Sequence, residues 1–216
     1  MNRSLASTVI LAAGALTCAA GAEVYMGTGG AVADNNAAGS DFTLNVADSL
    51  IVSDISVTLT NFRHAYLGHL VATLTHEPTG KSITLFDQVG RTTSSSKGDS
   101  SDFHYDYTFA DGGSNLWAAA QAAGGSTKLA SGTFYASGAG IGSTAAAGPA
   151  SLSFASTFAG IDAQGTWKLN VSDRASGNTL NNDWSWSMNV TAVPGPGAMA
   201  LVAAAGFVGT GRRRRS

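Results

Sequence analysis

Side chains alternate between apolar and polar over most of the stretch from residue 42 to residue 190, and that alternation limits the chain to strands. Ile55, Val57 and Leu59 alternate with Ser56, Thr58 and Thr60, and Leu70, Ala72 and Leu74 with Val71, Thr73 and Thr75. Phe103, Tyr105, Tyr107 and Phe109 alternate with His104, Asp106 and Thr108. Trp167, Leu169 and Val171 alternate with Lys168, Asn170 and Ser172, and Trp184, Trp186, Met188 and Val190 with Ser185, Ser187 and Asn189. Successive side chains of a pleated strand point to opposite faces, so each segment buries one face and wets the other. Shorter strands are predicted near Phe42–Val46, Ser82–Phe86 and Leu152–Phe154. Turn residues separate them at Glu77-Pro78-Thr79-Gly80, Asp111-Gly112-Gly113 and Ser176-Gly177-Asn178. About eight short strands without an amphipathic helix predict an all-β fold, an antiparallel β-sandwich of jelly-roll type.

Residues 118–150 break the alternation. Ala, Gly, Ser and Thr dominate there, with Leu129, Phe134, Tyr135 and Ile141 the larger apolar side chains. Alanine is the best helix former, so a short helix fits Leu116–Ala123, ended by Gly124-Gly125. The rest is predicted to be a long surface loop, because so little apolar surface cannot offset the entropy of ordering it.

Both ends carry targeting patterns. Met1-Asn2-Arg3 is a short basic start, Leu5–Cys18 is apolar, and Ala20-Gly21-Ala22 has the small residues a signal peptidase needs. Residues 1–22 therefore read as a secretory signal peptide cleaved before Glu23. Ala15 and Thr17 ahead of Cys18 argue against lipidation. At the other end, Val193-Pro194-Gly195-Pro196-Gly197 precedes an apolar run, Ala198–Val208, and then Arg212-Arg213-Arg214-Arg215. Proline and glycine stop regular structure, and the arginines hold the tail on the cytoplasmic side of a bilayer. The run falls short of the roughly 20 residues that a spanning helix needs. In the order of these parts, residues 193–216 resemble the PEP-CTERM sorting tail of bacterial surface and matrix proteins, with Pro194-Gly195-Pro196 where that family has Pro-Glu-Pro. The resemblance implies recognition by an exosortase-type transpeptidase, transient residence in the inner membrane, and delivery to the cell surface or extracellular matrix. An ordinary tail anchor is the other reading of the same segment.

With both targeting segments set aside, residues 23–193 keep all 14 acidic residues but only seven basic ones, a formal charge of −7. An acidic surface argues against a nucleic-acid partner, which needs a basic stripe. The only cysteine, Cys18, lies in the signal peptide, so an exported body has to fold without disulfides. Residues 23–192 are long enough for one domain with its own core.

Within that body, Ile51–Leu85 and Leu152–Val190 resemble the P domain (Homo B) that follows the catalytic domain of subtilisin-like proprotein convertases. Val57, Leu59, His64, Leu70, Leu74, Pro78, Gly80 and Leu85 carry the first half of the resemblance. Phe158, Gly160, Asp162, Gly165, Trp167, Leu169, Val171, Asp173, Leu180, Trp184 and Met188 carry the second. It implies an eight-stranded jelly roll in which Gly165 makes the turn into a strand, Trp167 fills the core and Asp173 caps the strand's end. It also implies calcium, which members of the family often bind, and a non-catalytic role. The chain departs from the family at His69, where aspartate is common, and at the shortened turn Gly177-Asn178-Thr179-Leu180.

Asp99, Asp102, Asp111, Asp173 and Asp183 supply the hard oxygen donors that calcium takes, with Asp173, Asp102 and Asp111 the leading metal candidates. His64, His69, His76 and His104 lack a strong zinc spacing and read as loop and solvated-face residues. No Gly-x-Ser-x-Gly elbow occurs. Asp102 and Asp106 on one strand would stand ~13 Å apart, too far for the ~5–9 Å of a glycosidase pair. No convergent catalytic set is present, and the chain reads as a non-enzyme. Trp117 and Tyr66, with Tyr135, are the candidate loop aromatics for stacking on sugars. The expected function is an exported interaction or structural module of the surface or biofilm matrix, stabilised by calcium. A carbohydrate-binding module for exopolysaccharide is the alternative, and an accessory domain of a hydrolase the third.

Overall fold

In the computed structural model, which describes residues 21–193, eight strands of seven to eleven residues form two facing sheets. The first sheet takes β1 (Ala22–Thr28), β11 (Ser185–Ala192), β3 (Val52–Thr60), β6 (Tyr107–Ser114) and β7 (Gly132–Phe134), in that order. The second takes β2 (Asn36–Val46), β10 (Gly165–Asp173), β4 (Leu70–His76) and β5 (Lys81–Asp87). A two-stranded piece, β8 (Ala136–Ser137) with β9 (Ser151–Leu152), lies outside both. Every strand pair is antiparallel except β6 with β7, which is parallel. The candidate sorting residues from Pro194 through Arg215, and the signal segment up to Ala20, lie outside the described residues.

The core follows the alternation closely. Ile55, Val57 and Leu59 of β3 face Trp186, Met188 and Val190 of β11, and all six side chains are buried. In the second sheet, Leu70, Ala72 and Leu74 of β4 lie beside Leu169 and Val171 of the neighbouring β10, all buried. Trp167 sits at the centre of one end: its indole N–H donates to the Ala163 carbonyl at 2.8 Å, and its ring packs on His76 and Phe158. Gly165, at φ +126°, makes the turn into β10 in a conformation that only glycine adopts freely.

Three expectations are corrected by the structure. The aromatic run 103–109 is not one strand: β6 begins at Tyr107, and Tyr105 is 46% exposed while Phe103 is buried. The Tyr107 hydroxyl bends the chain, accepting from the amides of His104 and Tyr105 and donating to the Leu129 carbonyl at 2.8 Å. Asp102 and Asp106 are thereby taken off a common strand face. Residues 118–150 are a surface loop only in part: most of 125–133 and 141–150 is exposed, but Leu129, Phe134 and Ala136 join the core together with Trp117 and Ala120. Small residues let these few apolar groups pack closely; Gly113 lies directly against the Phe134 backbone, where a Cβ would collide. Finally, three of the four histidines, His64, His69 and His76, are buried rather than solvated.

The helix α1 (Leu116–Ala123) occupies the residues expected, started by Asn115, whose side chain accepts from the amides of Trp117 and Ala118, and stopped at Gly124. A second helix, α2 (Phe154–Phe158), replaces the strand expected to run through Phe154. Asp111 takes the Ser153 hydroxyl at 2.6 Å and the amides of Phe154 and Ala155, which turns the chain into helix there.

Replacing Trp167 with Ala is expected to cost about 3–5 kcal/mol, the range for emptying a buried aromatic site, as read from urea denaturation. His76 generates a pH dependence. Its Nε2–H donates to the Gln164 carbonyl and its Nδ1 accepts from the Thr79 hydroxyl, while burial pushes its pKa below the ordinary 6.5. The folded state thus binds fewer protons than the unfolded chain, so this contribution to stability is complete above 6.5 and is lost as pH falls below it. His76→Gln should lose less melting temperature than the wild type between about pH 7 and pH 5; equal losses would sink the assignment.

Candidate functional site at the end of the sandwich opposite Gly21 and Val193

Strand directions sort the loops into two groups. β1 and β11 pair from Ala22↔Thr191 to Thr28↔Ser185, so the described chain begins and ends at one end of this pair. The Ala192 amide donates to the Gly21 carbonyl there, and the Val193 amide to that of Ile51. The residues after β3, before β6 and before β11 gather at the opposite end, about 25 Å away at ~3.3 Å per residue. Arg63, His64, Asp102, His104 and Asn181 line an open groove of about 370 Å³ at that end.

His64, His69 and Asp173 meet directly beneath it. His64 follows β3 and is fixed by its amide donating to the Phe103 carbonyl at 3.0 Å. His69 ends a single 3-10 turn, Leu67–His69, just ahead of β4, and Asp173 is the last residue of β10. All three side chains are at most 2% exposed. His64 Nε2 lies 3.0 Å from Asp173 Oδ2, and Asp173 Oδ1 also accepts the Ala175 amide at 3.2 Å. That second bond is the strand-end cap expected of Asp173. His64 Nδ1 sits between the Tyr66 carbonyl at 2.9 Å and the Tyr66 amide at 3.1 Å. With Nδ1 accepting from that amide, the neutral ring carries its proton on Nε2 and donates it to Asp173.

His69 is held differently. Its ring stacks on Tyr66 with centroids 4.1 Å apart, and Nδ1 stands 3.9 Å from Asp173 Oδ1, beyond hydrogen-bond reach. Neither ring nitrogen has a hydrogen-bond partner. Burial pushes its pKa below that of an ordinary imidazole, against the opposing pull of the Asp173 carboxylate.

The aspartates named as calcium candidates lie apart from one another. Asp111 caps α2, Asp102 lines the groove beside the Lys128 bridge, and Asp173 faces imidazoles. Asp99 accepts the Ser101 amide, and Asp183 accepts from Asn61, Asn181 and Arg63. Among the described residues, the group of three metal-capable side chains is His64, His69 and Asp173. Histidines at 64 and 69 gave no spacing signal because their partner is over 100 residues away in sequence.

Trp117 is corrected from a sugar platform to a packing residue. It is 1% exposed and its ring lies under the backbone of Gly140 and Gly148. Tyr66 is partly buried with one face already on His69. Tyr135 lines a separate shallow groove with Asp111, Leu152 and Ser153.

No family model matches the chain, and no curated protein matches it. Among solved structures it is similar to a serine protease of Aeromonas sobria, with 19% identity over 80% of this chain and a TM-score of 0.40. It is likewise similar to a chain in the complex of that protease with its chaperone, with 19% identity over 81% and a TM-score of 0.42. The chain spans only 26–27% of those chains, and a likeness at this level carries no conclusion about activity.

Trp117→Phe is expected to remove a blue-shifted fluorescence component that acrylamide does not reach and added polysaccharide does not change. A quenchable, polysaccharide-sensitive loss would restore the sugar platform.

Proposed function

We propose that the chain is a non-enzymatic β-sandwich module, exported and held at the cell surface or in the extracellular matrix, with its groove end turned outward as an interaction surface. One observation carries this reading: Val193 leaves beside the start of β1 at one end of the β1–β11 pair, and the polar groove lies at the other. A body joined to a surface through residue 193 presents that groove to whatever lies outside. The strand order supports a jelly roll. With β7 to β9 set aside as an insertion, the first strand lies beside the last in one sheet and the second beside the next-to-last in the other. Trp167 in the core and Asp173 at the strand end support the likeness to a P domain.

The test is localisation in the producing cell, with an epitope inserted at Gly177, an exposed turn at the groove end. The epitope should be reached by antibody on intact cells or in the isolated matrix, on a mature protein beginning at Glu23 and lacking Arg212–Arg215. Removal of residues 193–215 should release it to the medium. A cytoplasmic protein that retains residues 1–22 would overturn the proposal. Glycan binding is the second reading, favoured by the polar lining of the groove. Retention on the cell's own extracellular polysaccharide, lost in Arg63→Ala, would select it over a purely structural role.

A further inference from the structure

Asp173 brings a carboxylate to a place where its side chain has no exposure at all, and a buried charge needs a compensating partner. Its neighbours there are two imidazoles, one of which, His69, is buried with both ring nitrogens lacking a hydrogen-bond partner. Hydrogen bonding accounts for His64 and leaves His69 unexplained.

We propose that His64, His69 and Asp173 form a binding site for one borderline divalent cation, zinc before others, at the junction of the two sheets. The donor atoms all lie within 4.8 Å of one another. Metal–ligand distances of about 2.1 Å at tetrahedral angles put two donors roughly 3.4 Å apart. The observed separations of 3.0 Å, from His64 Nε2 to Asp173, and 3.9 Å, from His69 Nδ1 to Asp173, bracket that value. Two imidazoles and one carboxylate, with a further position for water or a partner's donor, suit zinc, cobalt or nickel. Calcium takes six to eight oxygens and finds only one carboxylate here.

The surroundings already provide what a bound ion requires. On binding, His64 gives its Nε2 lone pair to the metal and carries its single proton on Nδ1. That nitrogen lies 2.9 Å from the Tyr66 carbonyl, which accepts the proton in the backbone hydrogen bond that commonly orients a ligating histidine. The ring thus keeps one proton and only changes where it carries it. His69 offers the lone pair of Nδ1, and Tyr66 stacked on its face keeps the ring from turning away. The divalent charge compensates the buried carboxylate. His64 is shared by the groove lining and the cluster, so the groove is the side from which an ion would enter. The three ligands come from the end of β3, the start of β4 and the end of β10, so one ion clasps both sheets at the groove end. A body without cysteine has no disulfide to do this.

The test uses the full chain, purified in mild detergent without an added histidine tag, stripped with chelator and titrated with zinc chloride, cobalt chloride or calcium chloride. Zinc should bind one per chain by calorimetry. At free zinc 100-fold above the dissociation constant, the folded-to-unfolded ratio should rise about 100-fold, seen as a higher melting temperature. Cobalt should give the intense visible bands of a tetrahedral site, and calcium should do neither. His69→Phe keeps the stack on Tyr66 and should melt cooperatively while losing the zinc and cobalt responses; His69→Gln serves the same reading if the Phe variant fails to fold. His104→Ala, which changes a histidine outside the cluster, should leave the responses intact. An unchanged melting temperature with zinc, undiminished affinity in the His69 variants, or loss of binding in His104→Ala would each overturn the site.

Discussion

The contact between Asp173 and His64 holds the groove end together. A carboxylate without solvent has to be satisfied from within, and here the strand end itself and a residue of the opposite sheet's loop do so. The two sheets are otherwise joined at this end by apolar packing, which is indifferent to small sliding movements. A directed bond at 3.0 Å is not. It sets how the 61–66 loop lies over the end of β10, and the groove is shaped by the loop. Removing one partner of such a buried pair strands the other, so the two residues depend on one another.

The two ends of β10 handle their aspartates in opposite ways. Asp162, just before the strand, is only partly buried and accepts from the Ser49 hydroxyl and from the amides of Leu50 and Gln164. Those hydrogen bonds, the Ser49 hydroxyl first, hold its carboxyl below the usual carboxylate range. Asp173, at the other end, is fully shielded from solvent and faces imidazoles and one amide. One end of the strand is a solvated cap, and the other a dry, charged junction. That asymmetry gives the sandwich one chemically distinct end.

Much of the two sheets was legible in the sequence, because β3, β4, β10 and β11 alternate with one clean apolar face. β1 was not, since its outward residues Val24 and Met26 are apolar and 60% and 71% exposed, while its inward positions include Gly27, packed on Trp186. The pattern of its side chains marks the wrong face. Residues 118–150 misled for a related reason: burial there comes from backbone brought close by glycine, which no hydropathy pattern records. The cap at Asp173 was visible through Gly165 and Trp167. The junction around it was not, because His64 and His69 gain their meaning only when topology sets them against a residue more than 100 positions later.

The pairing of β1 with β11 also governs when this fold can close. β1 is the first strand of the described chain and its only long neighbour in the sheet is the last. β2 likewise waits for β10. Contacts of such high sequence separation form slowly, and none of them is available to a partial chain. A chain emerging N-terminus first could therefore not complete the second sheet before β10, which ends at Asp173, nor the first before β11, which ends at Ala192. The order of strands makes closure of the sandwich a late event, set by the arrival of its last strand.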